Sequence, residues 1–346
     1  MKKDELLKIL NNVNEEGNTT STFTKHSKVL LIDGLNLFLR NFAVMNYVNE
    51  KNVHIGGLVG FLRSLAYYIN TIQPTSVYVV FDGEGSATNR KNLLPEYKSN
   101  RNISRMTNWE VFKNLEEENE SKSDQIVRLT HYLRCLPIHA TAIDKVEADD
   151  IIAYLSNKIT KKPNTHAYIV SADKDFLQLV NDQITVYRPM EKKFYTPNDI
   201  KQKFGIPPEN FIIMKTLLGD NSDKIPGIKG LGPKKFDKLF PELSTDILSL
   251  KEILDISAEK YKDNIIYSRI VFEEQNLKKF YKLMDLKNPL LDDVEKNYLD
   301  DLIDKNHDGL NKESFLRFYH EDGLRHSIRD VDSWVTKTFT LLNSFK

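Results

Sequence analysis

The sequence predicts an α/β fold with a mostly parallel central sheet flanked by helices. Three continuous apolar runs have the length and composition of strands buried on both faces: KVLLIDG (residues 28–34), VYVVFD ending at Asp82 and AYIVSAD ending at Asp173. Amphipathic helical patterns separate these runs. Strand–helix alternation of this kind is typical of a parallel sheet.

The remaining elements follow in chain order. Residues 1–27 combine a short helical pattern at Leu6, Leu7 and Leu10 with a polar stretch, so we expect a flexible leader with a short helix. Apolar residues at helical spacing follow the first strand, and Pro74 should end that helix. Further helices are expected at about 123–136 and in VEADDIIAYL, and residues 246–346 read as a helical C-terminal region.

Composition excludes several classes of protein. The longest apolar runs of the 346 residues fall short of the roughly 20 that span a bilayer. The charged start MKKDELLKIL lacks a signal core, so we expect a cytoplasmic protein with no membrane association. A single cysteine, Cys135, excludes an internal disulfide and a thiolate metal cluster. Lysine plus arginine and aspartate plus glutamate each total 49, so net charge indicates no partner.

The first cluster of cations lies in residues 86–106, where five cations face the single acid Glu96. Tyr97 lies among them and could stack on a base or a sugar. Lys98 and Arg101 are three residues apart, so we expect them on one helical face, where they could clamp a phosphate. A solvated polar loop is the alternative interpretation.

A second cluster, residues 224–238, contains five lysines and one acid, Asp237. Gly227, Gly230 and Gly232 would allow backbone amides to approach phosphates closely, and a helix is expected to follow. We interpret this segment as a clamp for a duplex backbone that does not read sequence.

Acidic residues form the third pattern. In an open α/β sheet, ligands bind beyond the carboxyl ends of the strands, and here three strands lead to acids. The candidate set is Asp33, Asp82, Glu147, Asp149, Asp150, Asp173, Asp175, Asp220 and Asp223. Oxygen ligands without a nearby His or Cys favour Mg²⁺ or Mn²⁺. Nine carboxylates exceed the need of one ion and favour a two-metal site, which typically performs phosphoryl displacement. Taken singly, each acid could instead cap a helix.

Six motifs occur in order over about residues 28–240: LLIDGLNL, VVFDG, RKNLLPEYKSNR, VEADDIIAYL, IVSADKDFLQLV and LLGDNSDKIPGIKGLGPKKF. Together they resemble the structure-specific 5′ nucleases, which include flap endonucleases and the 5′-exonuclease domains of bacterial polymerases. The leader and the C-terminal part are most similar to T-even-phage ribonuclease H. The resemblance implies a nuclease core at 28–205 with a helical arch inserted at about 84–123, and a helix–three-turn–helix element at 206–245.

The resemblance also implies roles for individual residues. One ion would be held by Asp33, Asp82, Glu147 and Asp149, and a second by Asp173, Asp175, Asp220 and Asp223; Asp150 is acidic in phage members. Lys98 and Arg101 match arch cations that contact the scissile phosphate, and Arg90 lies at the arch entrance. Duplex-binding cations are matched by Lys215, Lys234 and Lys235, in an element that binds a monovalent cation, K⁺, in relatives.

The implied function is that of a monomeric, Mg²⁺-dependent 5′-3′ nuclease with ribonuclease H activity. It would act on 5′ ends and flaps of DNA and RNA–DNA duplexes and remove RNA primers in phage replication, within the host cytoplasm. Implied partners are a sliding clamp near the N-terminus and a single-stranded-DNA-binding protein at the C-terminal region. The alternatives are a non-catalytic structure-specific binding protein and a single-strand ribonuclease of a related α/β class.

Overall fold

The central sheet has six strands in the order β3-β2-β1-β4-β5-β6, and only β6 runs antiparallel. The computed structural model describes residues 27–99, 106–324 and 326–345. The strands are β1 Lys28–Asp33, β2 Ser76–Val80, β3 His139–Thr141, β4 His166–Val170, β5 Ile184–Arg188 and β6 Lys193–Tyr195. The predicted α/β fold with a mostly parallel sheet is confirmed.

Helices cover both faces of this sheet. They are α1 Gly34–Val44, α2 Gly56–Ile72, α3 Thr88–Leu93, α4 Leu115–Leu133, α5 Ala148–Ile159, α6 Pro197–Phe204, α7 Phe211–Leu218, α8 Pro233–Leu239, α9 Leu250–Glu259, α10 Ile265–Phe272, α11 Glu274–Met284, α12 Asp293–Asp304, α13 Lys312–Glu321 and α14 Val331–Asn343. Among the described residues, we find no helix with both the length and the apolar composition that crossing a bilayer requires.

The alternation of side chains along β1 explains why its apolar run is unbroken. Leu30 and Ile32 face a core formed with α1, α2, α4, α13 and α14, whereas Val29 and Leu31 face a second core formed with α5 and α12. In a half-exposed strand every second residue faces solvent and is polar. Both faces of β1 are covered, so its residues are apolar at consecutive positions. A third apolar cluster joins α7 and α8 to α9, α10 and α11. The C-terminal helices α9–α14 therefore contribute to three different apolar clusters.

Three short strands, β3, β5 and β6, were not predicted. Two of them span only three residues, and their pairing depends on neighbours distant in sequence. Strand β2 ends at Val80 and β4 at Val170, so Asp82 and Asp173 lie in the loops beyond the strands. Helix α2 ends before Pro74, as predicted.

Helix α4 begins at Leu115, well before the expected start near residue 123. Asn114 caps it, and acids occupy the first turn, where they stabilise the helix dipole. The first turns of this helix are only partly solvated: Glu118 is fully buried and accepts hydrogen bonds from the backbone of Thr107 and Asn108 and from Lys122. The predicted leader helix at Leu6, Leu7 and Leu10 lies outside the described residues.

Candidate active site

The site is built at the carboxyl edge of the sheet, beginning with Asp33 at the end of β1. This side chain caps α1 by accepting a hydrogen bond from the Asn36 amide (3.1 Å), and it accepts a second from the Ser171 hydroxyl (2.9 Å). Burial raises the pKa of Asp33 to about 7, with the nearby Asp82 and Asp173 carboxylates acting in the same direction and the two hydrogen bonds opposing the shift. Acids that follow three different strands therefore face one another.

Helix α5 brings in the next acids through its N-terminus. Asp82 accepts a hydrogen bond from the amide of Ala148 (2.9 Å), the first residue of α5, which joins the loop after β2 to this helix. Glu147 occupies the cap position and Asp149 the first turn. Burial raises the pKa of Asp149 well above its usual range, and the carboxylates of Asp173 and Asp33 add to the shift. Asp149 therefore faces the same cleft.

A second group of carboxylates comes from the loop after β4 and the turn after α7. Oxygens of Asp175, Asp220 and Asp223 lie within 4.8 Å of one another, and Asp173 accepts a hydrogen bond from the Asp175 amide (2.9 Å). The turn is closed by paired backbone hydrogen bonds between Asp220 and Ile225. Carboxylates this close favour a cation among them.

Lys215, on α7, lies among this second group of carboxylates and pairs with two of them. Its ammonium contacts Asp175 and lies 2.7 Å from Asp220. Burial raises the pKa of Asp175 to about 7 although Lys215 opposes the shift, whereas Lys215 outweighs burial at Asp220 and lowers its pKa. Lys215 was predicted to bind a duplex, and the structure instead places it against acids, because α7 points it into the cleft.

The donor set fits a hard divalent cation. Eight carboxylates face the cleft, all offering oxygen, and among the described residues the protein cations that reach them are Arg90, Lys98 and Lys215. The set consists of Asp33, Asp82, Glu147, Asp149, Asp173, Asp175, Asp220 and Asp223. Excess negative charge and oxygen-only ligands are what Mg²⁺ and Mn²⁺ sites require.

Asp150 does not join this set. Its carboxylate is 1% exposed and forms a two-pronged ion pair with Arg90, and it also accepts the Leu290 amide (3.0 Å). As the neighbour of Asp149 on a helix, it necessarily points about 100° away from it. The expectation that Asp150 holds a metal is therefore corrected to a structural ion pair.

Arg90 and Tyr97 also turn inward rather than toward a substrate. Arg90 is 4% exposed and Tyr97 is 3% exposed, so neither side chain is available to nucleic acid in this conformation. The Tyr97 hydroxyl donates to Glu147 (3.1 Å) and lies 3.3 Å from Asp223. Both side chains contact the protein's own acids in this structure, because buried carboxylates attract these donors first.

Lys98 lies at the edge of the cleft, and its ammonium is 2.7 Å from Glu147. Its backbone amide donates to the carbonyl of Asp223 (3.0 Å), and its φ of 53° is left-handed. Lys98 is thus in a turn, and the expected shared helical face with Arg101 stays a prediction. Arg101 itself lies outside the described residues.

The glycine–lysine segment has its cations on the surface. All five lysines, Lys224, Lys229, Lys234, Lys235 and Lys238, are exposed. A Cβ at Gly227 would lie 2.1 Å from the carbonyl oxygen of Leu218, and Gly230 has a φ of 83°, so both glycines are needed by the chain's own packing. Gly232 caps α8, which is only seven residues long, so the lysines supply most of the positive charge here.

Sequence reasoning missed Asn36 and Ser171, which organise the acids. The Asn36 side chain accepts a hydrogen bond from the Ala172 amide (3.2 Å) and so links the ends of β1 and β4. Ser171 donates to Asp33 and accepts from the Asp173 amide (3.0 Å). Both residues lie inside the motifs LLIDGLNL and IVSADKDFLQLV. Their position within three residues of an acid, Asp33 or Asp173, is the sequence feature that could have identified them. A cavity of about 540 Å³ lies beside them, lined also by Arg188.

Comparison with known protein families gives a match over the sheet. Residues 28–205 match the family of 5′-3′ exonuclease N-terminal, resolvase-like domains. A 5′-3′ exonuclease of Buchnera aphidicola is 32% identical over 214 residues, which are 61% of this chain and 69% of that protein.

A longer relative and a solved structure extend this comparison. DNA polymerase I of Bacillus subtilis is 32% identical over 247 residues, 70% of this chain, but the chain spans only 26% of that polymerase. The bacteriophage T5 flap endonuclease, solved with DNA and metal ions, shares the fold with a TM-score of 0.61 at 18% identity, over 91% of this chain and 99% of that one.

Proposed function

The chain belongs to the structure-specific 5′-3′ exonuclease and flap endonuclease family, and from that premise we propose that it is a divalent-metal-dependent nuclease. It would hydrolyse phosphodiesters at the 5′ ends and 5′ flaps of duplexes. The observation that carries this proposal is the convergence of eight carboxylates on one cleft at the carboxyl edge of the sheet.

The carboxylates would hold two ions. Asp33, Asp82, Glu147 and Asp149 would hold one, and Asp173, Asp175, Asp220 and Asp223 the other, with Mg²⁺ as the natural ion and Mn²⁺ as a substitute. A bound pair of such ions supplies charge neutralisation and electrophilic activation for in-line displacement at a phosphodiester. The chain's own residues keep the acids apart and oriented: Asn36 and Ser171 fix Asp33, and the Ala148 amide fixes Asp82.

Lys98 would contact the scissile phosphate. It lies in a turn at the edge of the cleft and is within reach of Glu147, so a phosphate that enters the cleft would lie close to its ammonium. Arg101, three residues further on, is proposed as its partner.

The exposed lysines of 224–238 would hold the duplex. They lie on the surface beyond the Asp220–Asp223 turn, so a duplex that they bind would lead toward the second group of acids. Lys234 and Lys235 are the proposed phosphate contacts. The K⁺ site expected in this segment stays a prediction.

Primer removal is the proposed biological setting. The polymerase relatives support a place in DNA replication, and an RNA-primed strand presents the 5′ end that this site would accept. Removal of RNA primers in a phage-infected cell, action as a monomer, and contacts with a sliding clamp and a single-stranded-DNA-binding protein belong to this proposal.

A cleavage assay tests the proposal. An RNA-primed DNA duplex and a DNA 5′ flap, each 5′-labelled, would be incubated with the protein in Mg²⁺ or in chelator. We expect Mg²⁺-dependent release of short 5′ products by the wild type and none by Asp173→Asn, which should still bind both substrates. Asp182→Asn, an exposed acid in the turn before β5 and outside both the cleft and segment 224–238, is the matched control. Binding without cleavage by the wild type would contradict the nuclease and favour a binding protein.

A further inference from the structure

Arg90 is a buried cation with more than one carboxylate partner. Its Nη1 lies 2.5 Å from Asp150 Oδ2 and its Nη2 lies 3.0 Å from Asp150 Oδ1, which is the planar two-pronged geometry that only arginine forms. The same Nη1 lies 3.0 Å from Glu147 Oε2. One guanidinium therefore joins an acid outside the cleft to an acid of the cleft.

The remaining donors of Arg90 reach the C-terminal part of the chain. Its Nε donates to the carbonyl of Leu283 (3.0 Å) near the end of α11, and Asp150 accepts the amide of Leu290 just beyond that helix (3.0 Å). Three segments thus meet at this pair: α3, the start of α5, and the end of α11. Three of the five guanidinium N–H groups thus donate hydrogen bonds, and the ion pair with Glu147 is a further contact.

Glu147 is held from both sides as a result. Its Oε2 faces Arg90 and the Tyr97 hydroxyl, and its Oε1 faces Lys98 (2.7 Å). It takes no capping hydrogen bond on α5, so these side chains fix its orientation. A guanidinium that is 4% exposed cannot also bind a phosphate without breaking this arrangement.

We propose that Arg90 is a positioning residue: it orients the Glu147 carboxylate toward the cleft for a divalent cation and makes no contact with nucleic acid. The inference rests on the proposed function, because Glu147 would be a ligand of that ion. Groups that orient a metal ligand typically change metal affinity or activity by about 10- to 100-fold when they are replaced. A residue with only a structural role would change the melting temperature and leave metal affinity alone.

The test is a calorimetric titration of the full chain with Mn²⁺ alone, without DNA, for wild type, Arg90→Lys and Lys91→Ala. Arg90→Lys keeps the positive charge but loses the planar fork, so we expect Mn²⁺ to bind about 10- to 100-fold more weakly. Lys91→Ala removes the exposed neighbouring cation and should match the wild type. Affinity of Arg90→Lys equal to wild type would overturn the inference.

Asp150→Asn examines the same pair from the other side and preserves side-chain volume. This variant should also weaken Mn²⁺ binding, but less than Arg90→Lys does. It replaces Arg90→Lys as the test if that variant does not fold. A folded Asp150→Asn protein with unchanged Mn²⁺ affinity would then overturn the inference.

Binding of a non-cleaved DNA flap in chelator separates this inference from a phosphate contact. For Arg90→Gln, which removes the positive charge, we expect the wild-type dissociation constant and the wild-type dependence on salt. A loss of about one in the slope of log K against log salt would make Arg90 a phosphate contact and overturn the positioning role. Failure of the wild type to bind Mn²⁺ at all would instead overturn the metal-dependent nuclease itself.

Discussion

The two cation-rich segments of the chain look alike in sequence and are used in opposite ways. In 86–99, Arg90, Tyr97 and Lys98 turn inward and contact carboxylates of the cleft. In 224–238, all five lysines face solvent. A cluster of cations in the sequence therefore does not indicate what the cations bind. The first segment neutralises charge on the protein's own carboxylates, whereas the lysines of the second remain available to a polyanion.

The largest expected effect comes from Lys98, the most exposed of the inward-turned groups. Lys98→Ala should lower the single-turnover cleavage rate about 100- to 1,000-fold, because a charge-assisted donor at the reacting phosphate is lost. DNA affinity should change little. Rates and affinities measured on one 5′ flap substrate, with Lys91→Ala as control, check this. Equal losses in rate and affinity would make the first segment a clamp like the second.

Lys215 offers the next effect, on stability rather than rate. Its ammonium lies between the largely buried carboxylates of Asp175 and Asp220. Lys215→Ala should therefore lower the free energy of unfolding in chelator by about 3 kcal/mol, because both carboxylates lose their cation. Mg²⁺ should restore part of the loss. Lys158→Ala breaks a surface ion pair with Asp300 and should lower the free energy of unfolding clearly less than Lys215→Ala does. Similar denaturant midpoints for the two variants would contradict the prediction.

The outward-facing lysines should affect affinity only. The double variant Lys234→Ala and Lys235→Ala should weaken duplex binding by about 10-fold and reduce the slope of log K against log salt by about two. The cleavage rate at saturating substrate should stay at the wild-type value. Lys161→Ala with Lys162→Ala, two exposed lysines after α5, is the matched control. If both double variants weakened duplex binding equally, residues 224–238 would have no special role in binding the duplex.

The smallest effect is the dependence of stability on pH in chelator. An aspartate whose pKa rises on folding, as at Asp33 from 3.8 to about 7, binds its proton more tightly in the folded state. Its stabilising contribution is therefore present at low pH and lost as pH rises through about 7. Asp33→Asn should melt several degrees above wild type at about pH 7.5 and show a smaller difference near pH 5. A constant difference across this range would contradict the shift.

The sequence determined the sheet and the location of its acids. Strand β1 is an unbroken apolar run because it is covered on both faces, and the carboxyl ends of parallel strands lie at one edge. Asp33, Asp82 and Asp173 therefore had to lie close together, whatever the details of the loops. The edge strands β3 and β6 could not be predicted, because three-residue strands depend on pairing with distant neighbours.

Only the tertiary structure decided which cations the acids keep for themselves. Arg90 reaches Asp150 and Leu283, which are 60 and 193 residues away in the sequence, and Tyr97 reaches Asp223, 126 residues away. Spacing within a segment carries no information about such contacts. The physical reason is that a buried carboxylate has lost its hydration, and an ion pair with a nearby cation offsets this loss. Which cation lies near enough is decided by the packing of the chain and not by the charge pattern of the sequence.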